Sequence, residues 1–256
     1  MKPGVPTRVN GTGLSWPKRV PPGASFKETL RNEGCVSGEF LLESGKMHVV
    51  WSLDGTVLSE CPFDRNGLRH GLELSRHGNG LVEWQVRWVH GFMHGSANQF
   101  DEKGHVLCRS PFRHGSGIDV WVQSNEVVEF RELIENKRQG VERWGHPMLP
   151  YEEAYYHRGQ KVGIHRRWNA TVLEEGYPKF FVDDAEVSKE TYRHVRAKRM
   201  ELPAYRIAED SRVRRLPATF RDIWLQKEIR AALVKRPGPY DTIGCGAHVQ
   251  GIRDIP

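Results

Sequence analysis

A chain of 256 residues with 38% hydrophobic content and a net charge of +6 is long enough to bury a real core. It is poor in aliphatic residues but generous in Gly (26) and Trp (8), a mixture that favours short strands and turns over long helices. The charge is uneven, with +4 on residues 1–30, −3 on 31–175 and +5 on 176–256, which argues against a nucleic-acid surface in the centre because phosphate affinity needs clustered Lys and Arg.

The first thirty residues are rich in Pro and Gly, show no periodicity, and read as a flexible basic tail without a fold of its own. From residue 31 to 175 the chain repeats. Glycines fall at Gly71, Gly95, Gly117, Gly140 and Gly163 with a period close to 23, and such self-similarity is settled before any motif is trusted. Within a unit the signal is strand: Val82, Trp84, Val86 and Trp88 alternate with Glu83, Gln85 and Arg87, as in a half-buried strand. The runs from Ile118 to Gln123 and from Glu126 to Arg131 alternate likewise, joined through Ser124-Asn125, and Met47, Val49 and Trp51 share a face. Asp54-Gly55 and Lys103-Gly104 mark hairpin turns, the first with both central residues able to accept positive φ. A unit is therefore two strands and two turns, one turn closing a hairpin and a Gly-ended turn passing the chain onward.

Near residue 176 the pattern stops after a last strand-like run, Tyr177 to Val182. Residues 187–200 read as a basic helix with Ser188 as its cap. A second helix, opened by Thr219 and Asp222 as a capping box, runs to about Val234 and ends at Arg236-Pro237-Gly238-Pro239. Its apolar residues lie on two sides, Phe220, Ile223 and Trp224 against Leu225, Ile229 and Leu233. The C-terminal region 176–256 is therefore expected to cap the open end of the array, which otherwise leaves a sheet edge unpaired.

Tandem units of this length, each with a Gly-containing turn, an aromatic-bearing strand and a terminal Gly, resemble MORN repeats, in particular the bacterial variant of YwqK-type antitoxin proteins. The stretches that carry the resemblance are Trp51-Ser52-Leu53-Asp54-Gly55, Trp88-Val89-His90-Gly91-Phe92-Met93-His94-Gly95 and Tyr155-Tyr156-His157-Arg158-Gly159-Gln160-Lys161-Val162-Gly163, with 63–71 matching after one extra residue. It covers roughly 47–175. The resemblance implies a mainly β fold, an elongated single-layer array of β-hairpins that binds other proteins or, in some members, acidic lipid. It implies no catalytic residue, and no cofactor is expected.

The residues themselves allow sharper readings. His70, His94 and His114 each precede a Gly at repeat spacing, and His90 and His94 stand four apart. Zinc wants three or four converging ligands, whereas a turn residue beside a Gly of positive φ needs only repetition, so the histidines are read as punctuation and no metal ligand is assigned. Cys61 and Cys108 occupy similar places in their units and suit inward strand positions. Cys245, with His248 in a Gly-rich stretch, has no third partner for nucleophilic catalysis. No Walker loop, dinucleotide motif, HExxH or GxSxG is present.

A one-layer array cannot bury both faces, so Glu83, Gln85, Arg87, Glu129 and Arg131 are the candidates for a partner-binding surface. Arg193, Arg196, Lys198 and Arg199, followed by Arg212, Arg214 and Arg215, form a candidate basic patch for nucleic acid or anionic lipid. The cysteines form no CxxC, residues 1–9 lack the apolar stretch of a secretory leader, and no window approaches a membrane span. The expectation is a non-enzymatic cytoplasmic scaffold that binds another protein, as an antitoxin or immunity protein does. A nucleic-acid or anionic-membrane adaptor acting through the basic flanks is the alternative, and a metal-dependent hydrolase using the repeat histidines ranks last.

Overall fold

The computed structural model describes residues 9, 13–123, 126–145, 151–169 and 172–211. The second C-terminal helix, the Ser124-Asn125 turn, Arg212, Arg214, Arg215 and Cys245 lie outside these residues.

The chain is one antiparallel meander. Strands β1 (Ser25–Arg31), β2 (Cys35–Leu42), β3 (Gly45–Ser52) and β4 (Val57–Asp64) are followed by β5 (Gly71–Arg76), β6 (Val82–Val89), β7 (Phe92–Phe100) and β8 (Val106–Arg113). Then come β9 (Ser116–Gln123), β10 (Glu126–Ile134), β11 (Lys137–Trp144), β12 (Tyr151–His157) and β13 (Gln160–Asn169). The short β14 (Val172–Leu173) pairs with β13, which also pairs with β15 (Lys179–Val182), and β16 (Ala185–Val187) ends the sheet. Among the described residues, fifteen of the sixteen strands thus stand in chain order without a crossover, and β14 lies off that path beside β13. The array begins before residue 31 and continues past 175. The expected fold class, mainly β with tandem hairpins in an open sheet, is what the chain adopts.

Two kinds of turn alternate along the two rims. On one rim, residues 52–56, 77–81 and 101–105 make the same pair of backbone bonds: the first N–H donates to the last carbonyl, and the glycine N–H donates back to the first carbonyl. Gly55, Gly80 and Gly104 take φ of +87°, +82° and +85°, the geometry of a type I turn followed by a bulge residue. Asp54 is therefore not a positive-φ residue as the Asp-Gly pair suggests; its Oδ1 accepts the Thr56 N–H at 2.9 Å instead. The opposite rim carries one such turn, at 64–68. Its other turns include His90-Gly91, His114-Gly115, Glu135-Asn136, Arg158-Gly159 and Asp183-Asp184, in which both residues have positive φ, as a two-residue turn matched to strand twist requires.

The 23-residue period comes from how this rim stacks. The second residue of each two-residue turn donates its N–H to a carbonyl one unit earlier: Gly91 to Arg69, Gly115 to Met93, Asn136 to Gly115, Gly159 to Arg138 and Asp184 to Lys161, at 2.7–2.9 Å. Each acceptor stands two residues before a recurring glycine. Apart from Gly71, which starts β5 directly after the β4–β5 loop, those glycines do not end turns, which corrects the sequence reading. Gly95, Gly140 and Gly163 fall where the register of β7, β11 and β13 slips against its neighbour, at φ of +78°, +71° and +79°, so they are bulge residues inside strands. Gly117 has an ordinary φ; a Cβ there would lie 2.3 Å from the Pro111 carbonyl.

Among the described residues, burial is divided among four clusters along the sheet. The first gathers Val36, Phe40, Met47, Val49 and Trp51 of β2 and β3 under Val9, Leu14 and Val20. The Trp51 indole donates to the Ser15 carbonyl at 2.8 Å, and Trp16 lies 5.0 Å from Phe40, ring to ring. Residues 1–30 are thus not wholly a tail without a fold. Val9, Leu14 and Val20 follow no period because they cover a sheet face as an irregular strap, and β1 adds the first strand. The second and third clusters hold Val86, Trp88, Met93, Ala97, Phe112 and Leu133, and Cys108 with Ile118, Val120, Val122, Val127 and Phe130. A bulge between Val127 and Glu129 interrupts the expected alternation of β10.

The fourth cluster is the C-terminal extension. Helix α1 (Lys189–Arg196) starts where Ser188 Oγ accepts the Thr191 N–H at 3.1 Å, as its cap chemistry predicts. Tyr192 and Leu202 pack on Val162, Ile164 and Phe180. The helix covers a face of β13 and β15 and does not seal the sheet edge, which β16 forms. Arg166, buried at 1% exposure, binds Asp210 at 2.9 Å and Glu153 at 3.5 Å, and the Trp168 indole donates to the Asp210 carbonyl. No helix among the described residues is long and apolar enough to cross a membrane.

Candidate functional site

Cross-strand partners in an antiparallel sheet share a face, and the register of β9 to β13 builds two adjoining rows of side chains on one face. The first row runs Trp121, Glu129, Trp144, Glu152, Arg167, and the second Asp119, Arg131, Glu142, Ala154. Aromatic, acidic and basic groups therefore alternate across five neighbouring strands. Arg131 is the hub. Its Nε and one terminal nitrogen bind Asp119 Oδ2 at 3.0 and 2.7 Å, and the other nitrogen reaches Glu129 at 2.8 Å and Glu142 at 3.5 Å. Arg138 extends the network, donating to Glu142 at 3.1 Å and to the Tyr156 hydroxyl at 2.9 Å.

These contacts set the charge states. Burial pushes the Glu129 carboxyl above its ordinary range; Arg131 opposes that, while Glu142 and Asp119 reinforce it. Burial pulls the Arg131 guanidinium down, but Asp119 and Glu129 outweigh it and hold the cation firmly. At the β13 side the face closes on His165, whose Nε2 lies 3.0 Å from Glu152 and whose Nδ1 lies 2.9 Å from Lys161 Nζ. Tyr177 sits edge-on to its ring at 5.2 Å, and Trp144 lies 5.9 Å away. The face is partly open to solvent, with the Arg138 and Arg167 side chains 45% and 38% exposed while Glu142 and Ala154 are buried. The helix and the strap after it lie on the other side, where Tyr155, Val162 and Ile164 point.

Glu129 and Arg131 are brought together on this face. Glu83, Gln85 and Arg87 are not part of it. Gln85 pairs with Leu74 and Asn98, and Arg87 with Leu72 and His94, on the side of β6 opposite Trp84, Val86 and Trp88. Glu83 contacts Ser75 at 3.3 Å. The residues that sequence alternation alone passes over are Asp119, Glu142 and Glu152, which only the register places around Arg131 and Trp144.

Of the basic patch, Arg193 and Lys198 are exposed and Arg196 is half-buried. Arg199 is engaged within the chain, binding Asp183 at 2.6 and 3.0 Å and Glu201 at 2.7 Å. Burial raises the Cys61 thiol to about 12 and the Cys108 thiol to about 11, so both behave as small apolar residues.

The histidines fall in two classes. His90 and His114 are the first residues of two-residue turns, at φ of +46° and +47°, whereas His70 and His94 precede strand glycines. Each turn histidine stacks beside the pre-glycine histidine of the unit before, with rings 4.6 Å apart for His70 and His90 and 5.2 Å apart for His94 and His114. At the first pair Asp64 also converges, and donor atoms of Asp64, His70 and His90 lie within 4.8 Å of one another.

No protein-family model matches the chain, and no curated protein is significantly similar to it.

Proposed function

We propose that the chain is a non-enzymatic interaction scaffold of the MORN-repeat type that binds another protein through the open face of β9 to β13, in the manner of an antitoxin or immunity protein. The observation that carries this reading is the half-buried row Trp121, Glu129, Trp144, Glu152, Arg167, backed by the Arg131 network. Trp, Tyr and Arg are the side chains that dominate binding energy at protein interfaces. Prearranged ion pairs give such a face specificity, because a wrong partner leaves them desolvated and unmatched. The scaffold acts in the cytoplasm, where its buried thiols stay reduced.

The test is affinity purification of the tagged full chain from its source cell after nuclease treatment, beside an Arg138→Glu/Arg167→Glu variant. One protein recovered in near-stoichiometric amount with the parent and lost from the variant supports the face. A partner held equally by both constructs, or nucleic acid alone recovered without nuclease, overturns it. The second outcome favours an adaptor for nucleic acid or anionic lipid working through Arg193, Arg196 and Lys198, whose binding weakens steeply with salt.

A further inference from the structure

The rim that carries the two-residue turns holds a group of side chains with different chemistry. Asp64 opens the turn between β4 and β5, and its Oδ1 accepts the Asn66 and Leu68 N–H groups at 2.9 and 3.0 Å. Its Oδ2 stands 3.1 Å from His90 Nδ1. His90 is fixed by its turn, which the Gly91 N–H ties to the Arg69 carbonyl at 2.8 Å. This bond sets the His90 turn against the residue preceding His70, and the His90 N–H reaches His70 Nδ1 at 3.3 Å. Arg69, the neighbouring cation, is occupied by Glu73 at 3.2 Å and by the Trp88 ring at 4.8 Å.

We propose that Asp64, His70 and His90 form a binding site for one divalent transition-metal ion of the zinc class, clipping the β4–β5 turn to the β6–β7 turn. Two imidazoles and a carboxylate are a donor set suited to zinc, nickel or copper(II) and poorly suited to calcium or magnesium. Donors around a tetrahedral zinc stand ~3.4 Å apart, given bonds of about 2.0–2.2 Å, so the 4.8 Å cluster closes by rotation of the two imidazoles. Both histidines are exposed and turn at the expense of the His90–Asp64 and His90–His70 contacts, while the carboxylate between them is held by backbone bonds. Three protein ligands leave a fourth position for water or for a donor on another molecule.

The next unit supplies an internal comparison. His94 and His114 repeat the ring pair, but the charged groups acting on His94 there are His114, Arg113 and Arg87. A three-donor group occurs only at Asp64 among the described residues. The specific element is therefore the carboxylate, brought in by the longer loop between β4 and β5.

The untagged full chain titrated with zinc chloride by calorimetry tests the proposal, beside His70→Ala, His90→Asn and His94→Ala. Asn tolerates the positive φ of position 90, so that variant keeps its turn, and unchanged far-UV circular dichroism checks each fold. The expected result is one site, weakened at least ~10-fold in the His70 and His90 variants, on the scale of lost metal-site interactions, and unchanged in the His94 variant. Cobalt(II) absorption of the parent, lost in the same two variants, reads the geometry directly. Absence of zinc binding to the parent, or equal binding to all four proteins, overturns it.

Discussion

Gly95 and Gly163 occupy the same place in two units and have nearly the same φ, +78° and +79°, but different surroundings. A Cβ added at Gly95 meets nothing within 4 Å, whereas at Gly163 it falls 2.5 Å from Pro203 Cγ and 3.1 Å from Tyr155 Cβ. The left-handed backbone alone costs an alanine about 1–2 kcal/mol, and overpacking adds about 1–3 kcal/mol. Urea denaturation of Gly95→Ala is expected to show only the first loss, and Gly163→Ala both; equal losses would mean that the Pro203 strap gives way freely. A second residue-scale effect lies at His165. Burial, helped by Lys161 and Lys179 and opposed by Glu152, holds its imidazole below the ordinary value. The unfolded chain therefore binds this proton more readily than the folded one. Stability from this group is complete above roughly pH 6.5, the unperturbed value, and falls as pH drops through the depressed native value. Denaturation midpoints followed from neutral to mildly acid pH are expected to decline more steeply in the parent than in His165→Gln.

At the scale of elements, the joint between β13 and the C-terminal strap depends on Arg166, which is 1% exposed and sits between Glu153 and Asp210. Removing one partner of a buried ionic group costs about 3–5 kcal/mol, because the remaining charges stay desolvated. Arg166→Met is expected to lose that much in denaturant unfolding, and a near-neutral result would mean that Glu153 is satisfied by Arg143, 3.1 Å away. None of this joint was legible in the sequence. The hairpins were, because Val82, Trp84, Val86 and Trp88 alternate and the recurrent glycines keep a fixed period; α1 was, because Ser188 stands at its start. The strap over Phe40 and Trp51 was not, since Val9, Leu14 and Val20 follow no period. Likewise Asp64 gave no signal beside His70 and His90. Their convergence depends on a turn-to-turn bond between units, which spacing within one unit does not encode.

On the scale of the molecule, an open meander in chain order makes each hairpin depend on its neighbours, and the four clusters keep burial local. Stability in such an array is close to a sum of unit and interface contributions. The first units are the informative end, because Phe40, Val49 and Trp51 are fully buried in a cluster completed by Val9, Leu14 and Val20. Uncovering side chains of this size costs ~1.5–3 kcal/mol each, and every 1.4 kcal/mol is tenfold in an opening equilibrium. Deleting residues 1–24 is therefore expected to lower amide protection in β2, β3 and β4 by ~10²-fold or more, measured by hydrogen exchange and mass spectrometry. Amides of β12, β13 and β15, held by Tyr192, Leu202 and Arg166, are expected to exchange as in the parent. A uniform loss of protection along the chain would show that the rim bonds couple the units into one cooperative body. In the local case, the partner proposed for β9 to β13 would stiffen the units beneath it and leave the N-terminal hairpins free to open.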